Sequence, residues 1–214
     1  DGMSVLGWIE RHKLVAIARR VAPEHAIALG EALHEGGIRL MEITFDQQDE
    51  NHMSLTPKMI ELLCARFGDE MLVGAGTVLN REQARAAAGA GARFVLAPNV
   101  DADVIDEALK RGLTVIPGAL TPTEVQRAFS LGAQMVKLFP AGNLGTGYVK
   151  ALRGPLPHIP LMAVGGIDQH NMCEFLKSGV SAVGVGGSIV DNKRIAAGQF
   201  DQLVALARAY TSQL

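Results

Sequence analysis

The segment Met135–Ala141, MVKLFPA, has the length and composition of a β-strand that is buried on both faces. Apolar side chains occupy both alternating sets of positions, so neither face is left for water. Strands of this kind occur mainly in parallel sheets that helices cover on both sides. The segment therefore predicts a parallel α/β sheet. Its central Lys137 is unusual there, because a charged amine costs several kcal/mol to bury unless it is paired or neutral.

Similar apolar runs recur along the whole chain, with helical patterns between them. The eight predicted strands are Leu14–Ala18, Ile38–Thr44, Met71–Gly74, Arg93–Ala97, Thr114–Gly118, Met135–Phe139, Leu161–Val164 and Ala182–Gly186. Glycines that end helices stand just before several strands, as at Gly112 and Gly132. Eight such units predict a single (β/α)₈ TIM-barrel domain over residues 1–214. A doubly wound open sheet is the alternative, but no GxGxxG fingerprint follows the first strand.

Composition and charge exclude several classes of function. The net charge of −2 and the absence of a basic run predict no nucleic-acid partner. No apolar run is long enough for a membrane span, and no signal peptide opens the chain. Neither Cys64 nor Cys173 lies in a CxxC motif, and the six histidines form no HxH or HxxxH pair at strand ends. We therefore expect a soluble, cytoplasmic protein without a metal, a cofactor or a membrane partner.

Lys137 is the first candidate for catalysis, since the carboxyl ends of barrel strands build the active site in this fold. The alternative is a lysine that extends its amine to water from a frayed strand. Here both faces of the strand should be covered, and Phe139 rather than a polar residue follows. Burial disfavours the ammonium form and leaves a neutral amine, which a Schiff-base nucleophile needs.

Glu42 is the second candidate, flanked by Met41 and Ile43 in the second predicted strand. A buried ion pair with an arginine or lysine is the structural alternative. As a functional residue, a carboxyl group whose pKa is raised by burial suits the repeated proton transfers of imine chemistry. A buried lysine and a buried glutamate in one barrel therefore favour a shared catalytic role.

Two glycine-rich turns follow the seventh and eighth predicted strands, AVGGID at 163–168 and VGVGGSIV at 183–190. Close helix–sheet packing is the alternative explanation for such glycines. Barrels, however, often bind phosphate at these two loops through backbone N–H groups. The pair of turns therefore predicts a phosphate site. The less specific GAGT at 74–77 is either a tight turn or a means of placing Thr77 against a substrate carboxylate.

The order and spacing of these motifs resemble one known family over essentially the whole chain. The matching segments are GIRLMEITF, VGAGTVLN, FVLAPNVD, VIPGALTPTE, VKLFPA, VKALRGPLP, VGGI and VGVGGS. They resemble the 2-keto-3-deoxy-6-phosphogluconate (KDPG) and 4-hydroxy-2-oxoglutarate aldolases. The resemblance implies a class I aldolase, a trimeric (β/α)₈ barrel that splits its substrate into pyruvate and glyceraldehyde 3-phosphate without metal.

The resemblance also implies roles for individual residues. Lys137 matches the Schiff-base lysine, and Glu42 matches the acid/base residue. Thr77 matches a contact to the pyruvate carboxylate, and Phe139 would form a wall of the imine pocket. Pro98, at the end of the fourth predicted strand, is a further substrate-binding candidate. The phosphate-binding positions are Gly165, Gly166, Gly187 and Ser188.

Two positions depart from the gluconate-type pattern. Asp46 stands where those enzymes usually carry an arginine that clamps the carboxylate, and Arg19 is the candidate substitute, as in galactonate-type enzymes. Val164 stands where a threonine is typical, whereas Ser188 resembles the gluconate type. The configuration at C4 of the substrate is therefore left open.

Three other functions are weighed against this one. One is an epimerase or synthase on a phosphate-binding barrel, although the required His/Asp or carboxylate pairs are not found at the strand ends. Another is a sugar-phosphate-binding barrel without catalysis. A third is an aldolase that prefers 4-hydroxy-2-oxoglutarate or another 2-keto acid. The expected partners are a small phosphorylated 2-keto acid and two further copies of the chain.

Overall fold

The computed structural model describes residues 2–214 and contains one parallel sheet within them. Its strands are β1 Leu14–Ala18, β2 Leu40–Thr44, β3 Leu72–Gly76, β4 Phe94–Leu96, β5 Thr114–Ile116, β6 Gly118–Ala119, β7 Val136–Leu138, β8 Leu161–Val164 and β9 Ala182–Val185. The strand order is β5-β4-β3-β2-β1-β9-β8-β7-β6, and each pair is parallel. The strands form a nearly closed barrel, which confirms the predicted α/β TIM-barrel fold.

The barrel closes through one predicted strand that is split in two. The pattern predicts one strand over Thr114–Gly118, but Pro117 interrupts the ladder because proline has no N–H to donate. The first half pairs with β4 and the second half pairs with β7. The Pro117 carbonyl accepts from the Lys137 N–H at 2.8 Å, and the Gly118 N–H donates to the Asn99 carbonyl at 3.1 Å. The fifth predicted strand therefore reaches both of its neighbours.

The third strand also differs from its prediction. The predicted strand ends at Gly74, whereas β3 continues to Gly76, which pairs with Thr44 of β2. Close packing requires glycine at position 74, because a Cβ there would lie 2.4 Å from the Phe94 ring. The glycines let large side chains of neighbouring strands fill the barrel interior.

Helices cover the outside of the barrel. They are α1 Val5–His12, α2 Ala26–Glu35, α3 His52–Phe67, α4 Arg81–Gly89, α5 Ala102–Lys110, α6 Pro122–Ser130, α7 Ala141–Leu144, α8 Thr146–Arg153, α9 Met172–Ser178, α10 Asn192–Ala196 and α11 Phe200–Thr211. A 3₁₀ turn, Pro23–His25, precedes α2. Within residues 2–214, none of the helices has the length and hydropathy needed to cross a membrane.

Helix α1 lies before the first strand and closes one end of the barrel. It is not anticipated by the strand–helix repeat. Its Ile9 packs with the barrel interior, and the Trp8 indole N–H donates to the Arg39 carbonyl at 3.1 Å. Ser4 caps the helix by accepting a hydrogen bond from the Gly7 N–H.

Two apolar clusters form the core. The inner cluster fills the barrel and includes Met135, Met162 and Phe94, whereas the outer cluster joins the sheet to the helices. Val136 and Leu138 belong to the outer cluster. Val136 and Leu138 therefore face the helices while Met135 faces the barrel interior, as the alternation of the sixth predicted strand implies. The same alternation directs Lys137 inward.

Candidate active site

A cavity of about 400 Å³ opens at the carboxyl ends of the strands and contains most of the predicted site residues. Its lining is Ile17, Arg19, Glu42, Lys137, Phe139, Val164, Gly165, Gly166, Ile167, Asp168, Gly184, Gly186, Gly187 and Ser188. A groove of about 440 Å³ lies elsewhere, between α2 and α11, but none of the predicted site residues lines it. We place the candidate active site in the first cavity, because it joins the two buried ionisable side chains to the glycine turns.

Lys137 projects from β7 into this cavity and is only 5% exposed. Its Nζ lies 4.7 Å from the centroid of the Phe139 ring. Burial lowers the pKa of Lys137, and Arg19 lowers it further, while the negative charge of Glu42 opposes the shift. The strand therefore holds an amine that loses its proton more readily than an ordinary lysine and is a better nucleophile.

Glu42 projects from β2 into the same cavity and is 1% exposed. Burial raises the pKa of its carboxyl group, against the opposing charges of Lys137 and Arg19. Within residues 2–214, Oε2 has no hydrogen-bond partner, and the carboxyl group makes no salt bridge with a lysine or arginine. Burying a carboxyl oxygen without a hydrogen-bond partner costs free energy. Such an oxygen can bind and release a proton, or accept a hydrogen bond from a substrate hydroxyl.

Gly76 makes room for this carboxyl group. A Cβ at position 76 would lie 1.6 Å from Oε1 of Glu42 and 2.4 Å from its Cδ. The register Thr44–Gly76 between β2 and β3 brings the two residues together. Sequence reasoning missed this role, although the glycine in GAGT at the end of the third strand was a visible signal.

The turn after β8 packs tightly against the start of α7. Gly165 and Gly166 have φ angles of +92° and +69°, which glycine adopts without strain. The Gly142 N–H donates to the Gly165 carbonyl at 2.7 Å, and a Cβ on Gly142 would meet that oxygen at the same distance. Close packing therefore accounts for part of the glycine pattern in this turn.

The turn after β9 differs, because nothing crowds Gly187. A Cβ there would meet no atom within 4 Å, and its φ is outside the left-handed region. Ile189 and Val190 donate to the Gly186 carbonyl, whereas the Gly187 and Ser188 N–H groups find no acceptor in residues 2–214. Free N–H groups beside a cavity are the elements of an anion site.

Arg19 lines the cavity, and its carbonyl accepts a hydrogen bond from the Asn192 side-chain amide at 3.0 Å. Asp46 does not line the cavity. Its carboxylate instead lies 3.4 Å from the Arg20 guanidinium. The Asp46 carboxylate, at the position that departs from the gluconate-type pattern, is thus paired outside the cavity. Arg19, the residue after β1, supplies a cation inside it.

Thr77 and Pro98 are not among the residues that line the cavity. Thr77 has a φ of +52°, and its carbonyl accepts from the Gln47 side-chain amide at 3.2 Å. Pro98 packs against the barrel closure, since a Cβ on Gly118 would lie 2.3 Å from its carbonyl carbon. Their contact with substrate stays a prediction.

Several lining residues were not singled out from the sequence as site residues, including Ile17, Ile167 and Asp168. The Asp168 carboxylate accepts hydrogen bonds from the His170 and Asn171 N–H groups and shapes the turn before α9.

The described part of the chain contains no group of three or more His, Cys, Asp or Glu side chains that could hold a metal ion.

The fold and the site are typical of barrel enzymes that use a lysine nucleophile. A sequence model described as "Aldolase: KDPG and KHG aldolase" matches residues 6–206. The chain is 33% identical to the 2-dehydro-3-deoxy-6-phosphogalactonate aldolase of Escherichia coli (strain K12), over 95% of this chain and 97% of the relative. It is 36% identical to the 2-dehydro-3-deoxy-phosphogluconate aldolase of Treponema pallidum (strain Nichols), over 96% and 95% respectively.

The structure is also similar to a crystal structure of KDPG aldolase from Legionella pneumophila, with pyruvate captured at low pH as a covalent carbinolamine intermediate. The TM-score is 0.83 and the identity is 30%, with 93% of this chain and 94% of the other covered. The chain belongs to the KDPG and KHG aldolase family. The resemblance stated from the sequence is thereby confirmed.

Proposed function

We propose that this chain is a class I aldolase, an aldehyde-lyase that cleaves a 2-keto-3-deoxy-6-phospho sugar acid into pyruvate and glyceraldehyde 3-phosphate. The observation that carries the proposal is the pair of buried groups in one cavity, Lys137 and Glu42, with Oε2 of Glu42 unpartnered within the described residues. The named activities of the relatives and the pyruvate carbinolamine of the Legionella structure support the same chemistry.

The reaction begins when the neutral amine of Lys137 attacks the C2 ketone and forms a carbinolamine. The carboxyl group of Glu42 gives a proton to the departing hydroxyl, so water leaves and a protonated imine remains. The raised pKa of Glu42 keeps such a proton available, and the lowered pKa of Lys137 keeps the amine nucleophilic. Each shift therefore favours the protonation state that its residue needs at the first step.

Bond cleavage follows, with the imine as electron sink. The Glu42 carboxylate accepts the proton of the C4 hydroxyl, and the electrons of the C3–C4 bond move into the imine to form an enamine. Glyceraldehyde 3-phosphate leaves, and Glu42 returns the proton to C3. Water then adds to the imine, releasing pyruvate and the free amine of Lys137.

The two ends of the cavity bind the two ends of the substrate. Arg19 holds the carboxylate from inside the cavity, and Phe139 forms a wall beside the imine. Thr77, in the turn after β3, would contact the same carboxylate, as the family resemblance implies. The turns at Gly165–Gly166 and Gly187–Ser188 hold the phosphate through N–H groups and a hydroxyl. Anchoring both ends orients the C3–C4 bond for cleavage. From the family resemblance, we also infer a homotrimer, and we infer the cytoplasm from the sparse cysteines, which form no disulfide in the described residues.

Turnover of synthetic substrates tests this proposal. Pyruvate release is followed for the purified chain with the gluconate- and galactonate-derived 6-phosphates and with 4-hydroxy-2-oxoglutarate. We expect release from at least one phosphorylated substrate, and loss of at least about 10³-fold in kcat for Lys137→Met. Full turnover by Lys137→Met would reject the imine mechanism. A folded wild-type chain that binds these compounds without cleaving them would favour a binding protein instead.

A further inference from the structure

Helix α11 carries a tyrosine that reaches the predicted phosphate end of the cavity from outside the barrel. Tyr210 is 1% exposed, and its hydroxyl lies 2.9 Å from Oγ of Ser188. Ser188 lines the cavity, whereas Tyr210 does not. Tyr210 also lies beyond residues 6–206, the segment that the family model matches. The contact therefore links a buried side chain of the last helix to an exposed serine of the site.

Helix α11 is held close to the end of α2 by contacts on both sides of Tyr210. The Thr211 hydroxyl donates to the Gly36 carbonyl at 2.6 Å. A Cβ on Gly36 would lie 2.3 Å from Cβ of Ala207, which shows how closely the two helices approach. Contacts on both sides of Tyr210 thus fix the helix from which its ring projects.

The hydrogen-bond requirements of the two hydroxyls assign their protons. A buried phenol needs a partner for its O–H, and Ser188 Oγ is the only one that Tyr210 has in residues 2–214. Tyr210 therefore donates and Ser188 accepts. A serine hydroxyl that accepts a hydrogen bond can still donate its own O–H, so the Ser188 hydroxyl remains a donor for another group. Together with the free N–H groups of Gly187 and Ser188, it presents donors to an anion.

We propose that Tyr210 is a positioning residue that holds the Ser188 hydroxyl as a donor to the phosphate group of the substrate, and so contributes to selection of phosphorylated over unphosphorylated keto acids. The proposal rests on the function proposed above for the same cavity. Tyr210 touches neither the reacting carbon atoms nor the phosphate. Its effect passes entirely through Ser188.

Tyr210→Phe tests the proposal because it removes one hydroxyl and keeps the ring. The matched control is Tyr148→Phe, at the only other tyrosine of the chain, whose hydroxyl donates to the Leu120 carbonyl and which does not line the cavity. Ser188→Ala and the double variant complete a mutant cycle. Inorganic phosphate binding is measured by calorimetry, and KM and kcat are measured with 2-keto-3-deoxygluconate and with its 6-phosphate, together with the galactonate pair.

We expect Tyr210→Phe to weaken phosphate binding about three- to tenfold and to raise KM for the phosphorylated substrate by a similar factor. The kcat values and the KM for unphosphorylated substrate should stay within twofold of wild type. Ser188→Ala should cause at least the same loss, and Tyr210→Phe should add nothing in the Ser188→Ala background. Tyr148→Phe should behave as wild type.

The proposal is overturned if wild type does not bind phosphate, or if Tyr210→Phe binds phosphate as wild type does. It is also overturned if the effect of Tyr210→Phe persists in the Ser188→Ala background, or if KM rises equally for both kinds of substrate. If Tyr210→Phe does not fold, phosphate binding is measured on Ser188→Ala instead. An affinity for phosphate equal to that of wild type would then reject the proposal. Phosphate binding with the expected cycle but no cleavage of any substrate would reject the aldolase function and the selection between keto acids, and would leave only the positioning of Ser188 by Tyr210 at a phosphate site.

Discussion

Replacing Gly76 by alanine should displace the carboxyl group of Glu42, the proposed acid/base group, while leaving the barrel folded. The new Cβ would lie 1.6 Å from Oε1 of Glu42, whereas ordinary contact begins near 3.4 Å, so the oxygen must move by about 1.8 Å. All three atoms nearest to the added methyl group belong to the Glu42 side chain, which can rotate more easily than backbone can shift. The movement therefore affects the acid/base group first.

We expect Gly76→Ala to lower kcat strongly and the free energy of unfolding only moderately. A misplacement of about 1 Å in a reacting group costs on the order of 10²-fold, so kcat should fall by at least about 100-fold. An extra methyl group in a packed interior destabilises by about 1–3 kcal/mol. Steady-state pyruvate release and thermal unfolding measure the two effects separately.

Two further variants make this prediction specific. Gly89→Ala, at the end of α4 where a Cβ meets no atom within 4 Å, should keep full activity and gain up to about 1 kcal/mol in stability. In a Glu42→Ala background, Gly76→Ala should cost little further stability, because the clashing side chain is gone. A folded Gly76→Ala enzyme with wild-type kcat would refute the assignment of Glu42 as the acid/base group at this position.

The other predictions concern the ionisable groups. Lys137→Met should unfold at a higher temperature than wild type at pH 7, because it removes the cost of a buried amine whose pKa burial lowers. The folded wild type binds fewer protons than the unfolded chain between its lowered pKa and the ordinary one, so wild-type stability rises with pH there and the advantage of the variant shrinks. Lys150→Met, at an exposed lysine, should show no such trend in thermal melts. Glu107, which contacts three arginines, has a pKa lowered to about 2, so its stabilisation is complete above pH 4.5 and is lost as pH falls toward 2. Glu107→Gln should therefore lower the melting temperature at pH 7 but not near pH 2, whereas Glu10→Gln should leave it unchanged at both. Arg19→Ala should raise KM about ten- to hundredfold through loss of a charged hydrogen bond to the substrate carboxylate, and an unchanged KM would exclude the clamp.

The local patterns of the sequence were sufficient to select most of the residues that the structure brings together in the cavity of the candidate site. Lys137 and Glu42 stand out because each is a charged residue inside an apolar strand, and strand alternation directs both inward. The glycine turns after the last two strands lie at the same end of the barrel because parallel strands share their direction. These inferences need only the chain near each residue.

Features that depend on distant parts of the chain were not predicted. The closeness of Gly76 to Glu42 follows from the register between two strands, which no local pattern states. The split of the fifth strand at Pro117 becomes clear only when its two neighbours are known. The contact of Tyr210 with Ser188 needs the docking of the last helix against the barrel, which sequence spacing does not encode.

The central claim is that Lys137 forms an imine with the keto acid. Sodium borohydride reduction of the protein with pyruvate, followed by peptide mass mapping, tests it most directly, because reduction converts the imine into a stable amine linkage. The account predicts a pyruvate-derived adduct on Lys137 and none on the protein treated with borohydride alone. A folded protein that cleaves substrate but carries no adduct at Lys137, or carries it on another lysine, would contradict the account.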